Sequence, residues 1–529
     1  MKKIRIKQVI NLSLALFFIV CVILPLVAML CRITPDGIRQ VVVSKQFKGA
    51  IKNSLSTALV ATVISLFLAL SAALCIKRTT VRFKGLFSLI FVVPMLIPSI
   101  SHAFGLVTLF GANGIITNWL DLNANIYGFW GIVAGSVMYS FPVAFLMFSS
   151  ILDYEDGMTY NAADVLGIPP LRRFIDITIP FLKKTGISAF FAVFTMIVTD
   201  YGVPLMVGGK MTTVSVLMYN KAVGMIDYDA GSVIGAVLLI PAVIAFLVDV
   251  VNADDVQSSF VSESVKPKKK VLRDVVAYVF CVAVCVAVIA PIIAFCVMVF
   301  ETKYPVNKEF TLHHIQKTWN RGANNYLWNS VLYSFLTAFC GTAVAFGCAY
   351  LTARMKGMFS KALHLVAITS MAIPGIVLGL SYVIFFHKTP IYGTIIIVVL
   401  VNSIHFFSSP YLMMYNTLAK VNQNLEDVGH CMGIARMYIV KDVILPKVKY
   451  TMYEMFVYFF VNSMMTISAV SFLAPPAPKA LALMINQFEA QRLMESAAFV
   501  SLVILLINFV LKGTVAVLKK REGKVSKAK

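Results

Sequence analysis

Two polar loops of similar sequence interrupt an otherwise apolar chain: NAADVLGIPPLRRFIDITIP at Asn161–Pro180 and DVGHCMGIARMYIVKDVILP at Asp427–Pro446. In each loop a glycine, Gly167 or Gly433, follows a short stretch with helical potential, and a proline stands thirteen residues later. Glycine suits a helix C-cap because it adopts a left-handed backbone conformation without steric strain. We predict that each loop forms a short surface helix, a sharp turn at the glycine, and a second helix that re-enters the membrane at the proline.

The composition indicates a membrane protein. Of the 529 residues, 59% are hydrophobic and 13% are charged, whereas soluble domains carry about 25% charged residues. Twelve apolar stretches are long enough for a spanning helix of about 20 residues. The first is interpreted as a retained span, because its apolar run is too long for a signal peptide and no cleavage motif follows it. The sequence therefore predicts an all-α, polytopic membrane protein with spans centred near Phe17, Ser65, Pro94, Gly135, Phe194, Leu239, Cys285, Phe339, Ile373, Val399, Val461 and Leu505.

The net charge of +22 follows the predicted topology. With the N-terminus inside, most of the 46 Lys and Arg residues fall in the N-terminus, in the loops after even-numbered spans, and in the C-terminal tail. This is the positive-inside distribution, so the charge does not indicate a nucleic-acid partner. We predict a multi-pass protein of the bacterial inner membrane with both termini and both quoted loops in the cytoplasm. The nine Cys residues form no CxxC pair, which predicts neither disulfides nor a metal site.

The second half of the chain repeats the first. The segment that begins at Asn53 is echoed from Asn329, an offset of 276, and Ile97-Pro98 recurs as Ile373-Pro374 at the same offset. Each predicted half has six spans and starts on the same side, so the two repeats are parallel. The predicted domains are a first half at residues 1–251, a polar cytoplasmic linker at 252–273, and a second half at 274–529.

The two loops resemble the EAA…G…LP loop in the permease subunits of ABC importers. In that family the helix before the glycine is the coupling helix, which docks on the ATP-hydrolysing subunit. The resemblance departs from the family pattern at Asn161, where an acidic residue is usual, and at Val428 and Gly429, where alanines are usual. Unequal docking of the two halves is therefore expected. The resemblance assigns docking to Ala162, Ala163, Leu166, Gly167 and Pro180 in the first loop, and to Asp427, Gly433 and Pro446 in the second.

The resemblance covers nearly the whole chain, which is similar to the fused twelve-span permeases of the iron(III) and 2-aminoethylphosphonate uptake group. TDYGVPLMVGGK at Thr199–Lys210 and MAIPGIVLGLSYVIFF at Met371–Phe386 are most similar to the 2-aminoethylphosphonate branch. This implies two ABC ATPase subunits that carry ATP and magnesium, an extracytoplasmic solute-binding protein, and 2-aminoethylphosphonate or ferric iron as the substrate. The chain itself is predicted to be neither an enzyme nor a cofactor binder, since PLMVGGKM lacks the first Gly and the Ser or Thr of a phosphate-binding loop.

Five residues in or beside the spans are candidates for the translocation path. Ionisable residues inside a membrane indicate function by default, and Asp200, beside Tyr201, ends the fifth span. His102 and the pair Ser381-Tyr382 follow helix-breaking prolines, and broken helices are tolerated where they line a cavity. Backbone capping by Asp200 and simple helix packing at the prolines are the alternatives.

Other interpretations remain to be separated. A secondary transporter of the major facilitator kind also has two parallel six-span halves, but CIKRTTVRFKG at residues 75–85 lacks the Asp and the first Gly of its signature loop. A membrane enzyme would need a metal-spaced His set or a catalytic carboxylate pair, which the sequence does not suggest; His405 is interpreted as an interior packing residue. Dependence on a separate ATPase distinguishes the importer from both alternatives.

Overall fold

The computed structural model describes residues 13–121, 125–252, 265, 267, 269–303, 307–355, 357–422, 424–473 and 479–528. Within these residues the chain is almost entirely helical, and two short strands, β1 (Glu301–Lys303) and β2 (Asn307–Phe310), pair as an antiparallel hairpin. The predicted all-α fold class is confirmed. The N-terminal residues before residue 13 and most of the predicted linker at 252–273 lie outside the described residues.

The described residues of the first half form twelve helices. In chain order they are α1 (Ser13–Leu30), α2 (Pro35–Val43), α3 (Lys45–Arg78), α4 (Lys84–Leu96), α5 (Ser99–Phe110), α6 (Ile115–Trp119), α7 (Phe129–Ile151), α8 (Gly157–Val165), α9 (Pro170–Thr199), α10 (Gly202–Val207), α11 (Val214–Tyr219) and α12 (Tyr228–Asn252).

The second half continues with ten helices in its described residues. They are α13 (Val271–Phe300), α14 (His313–Arg354), α15 (Met358–Ala372), α16 (Gly375–Phe386), α17 (Ile395–His405), α18 (Ser408–Lys420), α19 (Asn424–Cys431), α20 (residues 436–465), α21 (Leu481–Ala490) and α22 (Met494–Ala528).

The number of apolar helices fits a polytopic membrane protein. Nine helices among the described residues are long and apolar enough to cross a membrane, and two bent pairs, α15 with α16 and α17 with α18, raise the number to eleven. Helix α20 is not among them, because Lys447, Lys449 and Glu454 lower the hydropathy of its longest regular segment, Leu445–Met465. The crossing of the membrane by α20 as a twelfth span stays a prediction.

Small residues let the long helix α3 pack closely against its neighbours. Its buried face carries Ala, Ser and Thr at helical spacing, including Ala58, Ala61, Ser65 and Ala69. Small side chains bring helix backbones together where lipid supplies no hydrophobic drive for association, and the Ser65 and Ser140 hydroxyl oxygens, 2.8 Å apart, join α3 to α7. Helix α14 repeats this pattern in the second half.

The first span of each half packs on the other half. Helix α1 contacts α16, and the Tyr382 hydroxyl donates to the carbonyl oxygen of Cys21 over 2.7 Å. Helix α13 in turn packs along α4 and α5, and the Thr80 hydroxyl donates to the Asp274 carboxylate over 2.5 Å. The two repeats are therefore interlocked.

The predicted helix breaks are present at matching places in both halves. Ile97-Pro98 separates α4 from α5, and Ile373-Pro374 separates α15 from α16, with all four residues in extended backbone conformations. Proline lacks the N–H that would continue the helical hydrogen-bond ladder, and the residue before it is driven out of the helical region. The second break bends its span by 107°.

Candidate coupling loops and central cavity

The first polar loop forms a capped helix. Helix α8 ends at Val165, and Gly167 has a φ of +65°. The amide of Ile168 donates to the carbonyl of Ala163 over 3.0 Å, and the amide of Gly167 donates to the carbonyl of Asp164 over 3.2 Å. These two bonds make a Schellman motif, so the predicted C-cap at Gly167 is confirmed.

The second loop closes in the same way. Helix α19 ends at Cys431, Gly433 has a φ of +72°, and the amide of Ile434 donates to the carbonyl of Gly429 over 2.9 Å. Four membrane-length helices and two bent helix pairs lie between the two loops, and if each crosses the membrane once, this even number puts both loops on the same side of the bundle. We call that side, defined by α8 and α19, the loop face.

The second helix of each loop starts before Pro180 or Pro446, and not at these prolines as the sequence predicts. Helix α9 begins at Pro170 and α20 at Arg436, so Pro180 and Pro446 lie inside continuous helices. Each proline follows a five-residue π turn, Phe174–Thr178 or Val440–Ile444. A π turn already shifts the hydrogen-bond ladder, so the donor that proline lacks is tolerated there.

An ion pair ties α8 to the end of α3. The guanidinium of Arg78 contacts the carboxylate of Glu155, which is buried just before α8. The hydroxyl of Tyr160 donates to Glu155 over 2.7 Å, and the Arg78 guanidinium stacks over the Tyr160 ring at 5.2 Å. The loop helix is thus attached to a membrane-spanning helix through charged and aromatic contacts.

The second half builds the same attachment with other partners. Arg354, at the end of α14, is 1% exposed and lies 3.7 Å from Glu426, which is 8% exposed. Arg436 donates to Glu426 over 3.0 Å and stacks over the Tyr350 ring at 5.4 Å. Arg78 and Arg354 are equivalent in the repeat, so each half fixes its loop helix through an arginine that ends its second span.

The ends of both loop helices present apolar side chains to solvent. At the end of α8, Val165 is 88% exposed and Leu166 is 74% exposed; Met432, just after α19, is 71% exposed, and Met437, in the first turn of α20, is 76% exposed. Among these four, Leu166 is a predicted docking residue. Of the remaining predicted docking residues, Ala163 is buried, and the exposed ones are Ala162, Gly167, Pro180, Asp427, Gly433 and Pro446.

A cavity of about 370 Å³ lies between the two halves. It is lined in the first half by α7, one face of α9 and α12, and in the second half by the two helix breaks after α15 and α17 and by Tyr458 of α20. The second-half break at Ile373-Pro374 therefore lines the cavity as predicted from its proline. Gly375 allows this tight packing, because a Cβ there would lie 2.8 Å from Nε2 of His405.

Asp200 is the predicted path residue that lines this cavity. Its carboxylate accepts from the Ser99 hydroxyl over 2.6 Å and from the Val203 amide over 2.9 Å. The second bond caps α10, so Asp200 combines a cavity position with the backbone-capping role that was the alternative.

His102 belongs to the first-half helix break and does not line the described cavity. Its Nε2 donates to the carbonyl of Pro94 over 3.1 Å. In a regular helix the residue at position 98 would donate to this carbonyl, but Pro98 has no N–H. Asn508 of α22 similarly donates to the carbonyl of Leu96 over 2.9 Å. The first break thus packs against α22, unlike its counterpart in the second half.

Tyr201, Ser381 and Tyr382 also lie away from the cavity lining. Tyr201 is buried and stacks on Tyr219 with ring centroids 4.8 Å apart. The Ser381 hydroxyl donates to the carbonyl of Leu378 within its own helix, and Tyr382 bonds to Cys21 of α1. All three make packing contacts in this conformation.

Sequence reasoning missed several polar residues of the lining. Asp249, Tyr139, Tyr458 and His405 all face the cavity, and Nδ1 of His405 is buried without a hydrogen-bond partner among the described residues. The sequence predicts a packing role for His405, and the structure places it at the bend between α17 and α18. Asp249 carried a usable signal, because an isolated carboxylate near the end of an apolar span is costly unless it faces a polar interior.

Two interlocked helical repeats with a cavity between them and two matching loop helices on one face define a membrane transport permease. The chain belongs to the family of binding-protein-dependent transport system inner membrane components, whose sequence model matches residues 61–253 and 341–524. One match falls in each half, so this is a fused, two-repeat permease of the ABC importer type. This family match does not support a major facilitator transporter.

Two relatives that match most of the chain are ferric transport permeases. The putative ferric transport system permease protein FbpB 1 of Haemophilus influenzae is 23% identical over 462 residues, covering 83% of this chain and 72% of the relative. The ferric transport system permease protein FbpB of Actinobacillus pleuropneumoniae is 22% identical over 477 residues, covering 86% and 69%. A solved bacterial alginate ABC transporter in complex with an alginate pentasaccharide-bound periplasmic protein matches 49% of this chain and 98% of its own, with 16% identity and a TM-score of 0.43.

Proposed function

We propose that this chain forms the translocation path of an ATP-driven importer of ferric iron, and that its loop face binds two separate ATPase subunits, one at α8 and one at α19. The main support for this proposal is that the two capped loop helices lie on one face and have exposed apolar ends. Contiguous exposed apolar side chains of this kind mark protein interfaces. Because both repeats present such a helix, the same partner can bind twice.

The attachment of the loop helices supports their role in coupling. Arg78 with Glu155, and Arg354 with Glu426, connect the two loop helices to α3 and α14. Movement of an ATPase subunit bound to a loop helix would therefore reach a membrane-spanning helix directly. ATP binding would draw the two loop helices together and open the cavity outward, and hydrolysis would reset it.

The distribution of basic residues supports the orientation of the complex. Most Lys and Arg residues fall on the side of the loop face, which by the positive-inside rule is cytoplasmic. The N- and C-termini then also lie in the cytoplasm of a bacterial cell. The opposite face would receive a cargo-loaded solute-binding protein, in agreement with the family description.

The cavity favours a cationic cargo. Its described lining includes two carboxylates, Asp200 and Asp249, together with Tyr139 and Tyr458, and no Lys or Arg. Carboxylate and phenol oxygens suit hard metal cations, whereas an anionic phosphonate group would meet like charge without a compensating cation. We therefore propose ferric iron, the cargo in the names of the two long relatives, ahead of 2-aminoethylphosphonate.

The test is uptake of radiolabelled ferric iron and of labelled 2-aminoethylphosphonate in cells with and without this gene, each with the ATPase gene intact or deleted. Iron uptake that requires both genes supports the proposal. Uptake of the phosphonate instead keeps the importer and changes the cargo. Uptake that persists without the ATPase contradicts the ATP-driven mechanism.

A further inference from the structure

A second and larger cavity lies outside the path between the halves. It is a groove of about 910 Å³ on the loop-face side, formed by α3, α8, α9 and α13. Its walls divide by chemistry into two zones. The inner zone is mainly apolar and includes Phe67, Leu74, Val276, Ala277 and Phe280, and the outer zone includes Arg78, Arg173, Lys270, Arg273, Thr79 and Tyr160.

The apolar zone has the depth of one lipid leaflet. Along α3, Phe67 lies eleven residues from Arg78, which corresponds to about 16 Å at 1.5 Å per residue. Along α13, Phe280 lies seven residues from Arg273, or about 10 Å. Half of a bilayer hydrocarbon core is about 15 Å. Phe67 and Val276 are exposed on the outside of the bundle, so the groove opens sideways toward lipid.

The outer zone is basic, and the described contacts leave a hydrogen-bond donor of Arg78 unused. Four of its lining side chains are cationic, against the single lining carboxylate of Asp164. The carboxylates of Glu155, Asp164 and Asp274 contact Arg78, Arg173 and Arg273 in that order, but Nε of Arg78 has no hydrogen-bond partner among the described residues. Lys270 is exposed and forms no ion pair within the described part of the chain. The Arg78 guanidinium has five donors, which the Glu155 carboxylate alone cannot saturate.

We propose that this groove binds an anionic phospholipid of the cytoplasmic leaflet, with an acyl chain along α3 and α13 and the phosphate between Arg78 and Lys270. Basic pockets between spanning helices on the cytoplasmic side suit such head groups, and the apolar inner zone distinguishes a lipid from a free phosphate. The leaflet assignment rests on the proposed orientation of the loop face. Because Gly157, Tyr160 and Asn161 of the first loop helix also line the groove, the lipid would contact α8 directly.

The experiment is native mass spectrometry of the purified full chain with its ATPase subunits after exposure to equal amounts of phosphatidylglycerol and phosphatidylcholine. Wild type is expected to retain phosphatidylglycerol in preference. Val276→Trp fills the groove, whereas Val275→Trp places the same ring on an exposed neighbour outside it. Lys270→Gln removes a positive charge from the lining of the groove, and the control Lys269→Gln removes a positive charge next to it but outside the lining. We expect V276W to abolish selective retention, K270Q to lower it roughly five-fold, and both controls to retain the lipid as wild type does.

Several outcomes would overturn this proposal. They are equal retention of the two lipids by wild type, equal loss in V276W and V275W, and displacement of the lipid by soluble glycerol phosphate, which lacks chains. A further outcome would also overturn it. If wild type retains no lipid, and the predicted linker is protected from protease in V275W but not in V276W, then the groove binds the linker of this chain and not a lipid. Lipid retention does not require transport, so this proposal and the proposed function can fail separately.

Discussion

The hydroxyl of Tyr382, in the second half, donates a hydrogen bond of 2.7 Å to the carbonyl oxygen of Cys21, in the first span of the first half. The bond is buried and joins residues 361 positions apart. It lies where α1 crosses onto the other repeat and packs against α16. Two halves that exchange their first spans in this way cannot separate without exposing both helices.

Replacing Tyr382 with Phe tests whether that residue is structural. The Cys21 carbonyl keeps its place in its own helix, so we expect a loss of about 0.5–1.5 kcal/mol of stability and unchanged cargo uptake. Thermal unfolding in detergent and uptake in cells measure the two effects. Reduced uptake with unchanged stability would return Tyr382 to the translocation path, as its sequence context predicted.

Gly167 is required for its backbone conformation and not for space. Its φ is +65°, and a Cβ there would meet no atom within 4 Å. We expect Gly167→Ala to strain the cap by about 1–2 kcal/mol and to reduce the ATPase activity stimulated by cargo-loaded binding protein, measured in proteoliposomes. Gly167→Asn should retain most of the activity, because Asn tolerates the left-handed conformation.

The control for this change is Gly186→Ala, in α9, where a Cβ also meets no atom and φ is not positive. It should leave stimulated ATPase activity intact. Equal effects of G167A and G186A would show that the cap conformation does not matter.

Neighbouring acidic residues of α19 should behave differently. Glu426 is buried with Arg354, so Glu426→Gln leaves a buried guanidinium uncompensated, and we expect a loss of about 3–5 kcal/mol. Asp427 is exposed, so Asp427→Asn should leave stability unchanged and weaken binding of the ATPase subunit. Thermal unfolding and co-purification of the ATPase measure these outcomes. Strong destabilisation by D427N, or none by E426Q, would contradict the described anchoring of α19.

Asp249 offers the cleaner test of cargo charge, since Asp200 also caps α10. We expect Asp249→Asn to lower initial ferric iron uptake roughly ten-fold at limiting cargo, and Asp249→Lys to abolish it, because the cavity would lose the charge that favours a cation. Asp229→Asn is the control, since Asp229 is exposed at the other end of the same helix. Unchanged iron uptake in D249K would remove the electrostatic argument for a cationic cargo.

The sequence determined the features of this protein that depend on local chemistry. Long apolar runs predict spanning helices because the bilayer demands them. Gly167 and Gly433 predict C-caps, and Pro98 and Pro374 predict breaks, because φ restrictions and a missing N–H act within a few residues. Both features recur at matching places in the two halves, and the sequence therefore predicts the repeat.

Only the tertiary structure decided which helices meet. Lipid is as apolar as the side chains it replaces, so hydropathy says where a helix spans but not which neighbour it packs on. The exchange of α1 and α13, the pairing of Arg354 with Glu426, and the placement of Asp249 and His405 in one cavity all depend on that lateral packing. The same limit applies to His102. Its hydrogen-bond partner is the carbonyl of Pro94, which Pro98 leaves without a donor, and this pairing is visible only in the folded, broken helix.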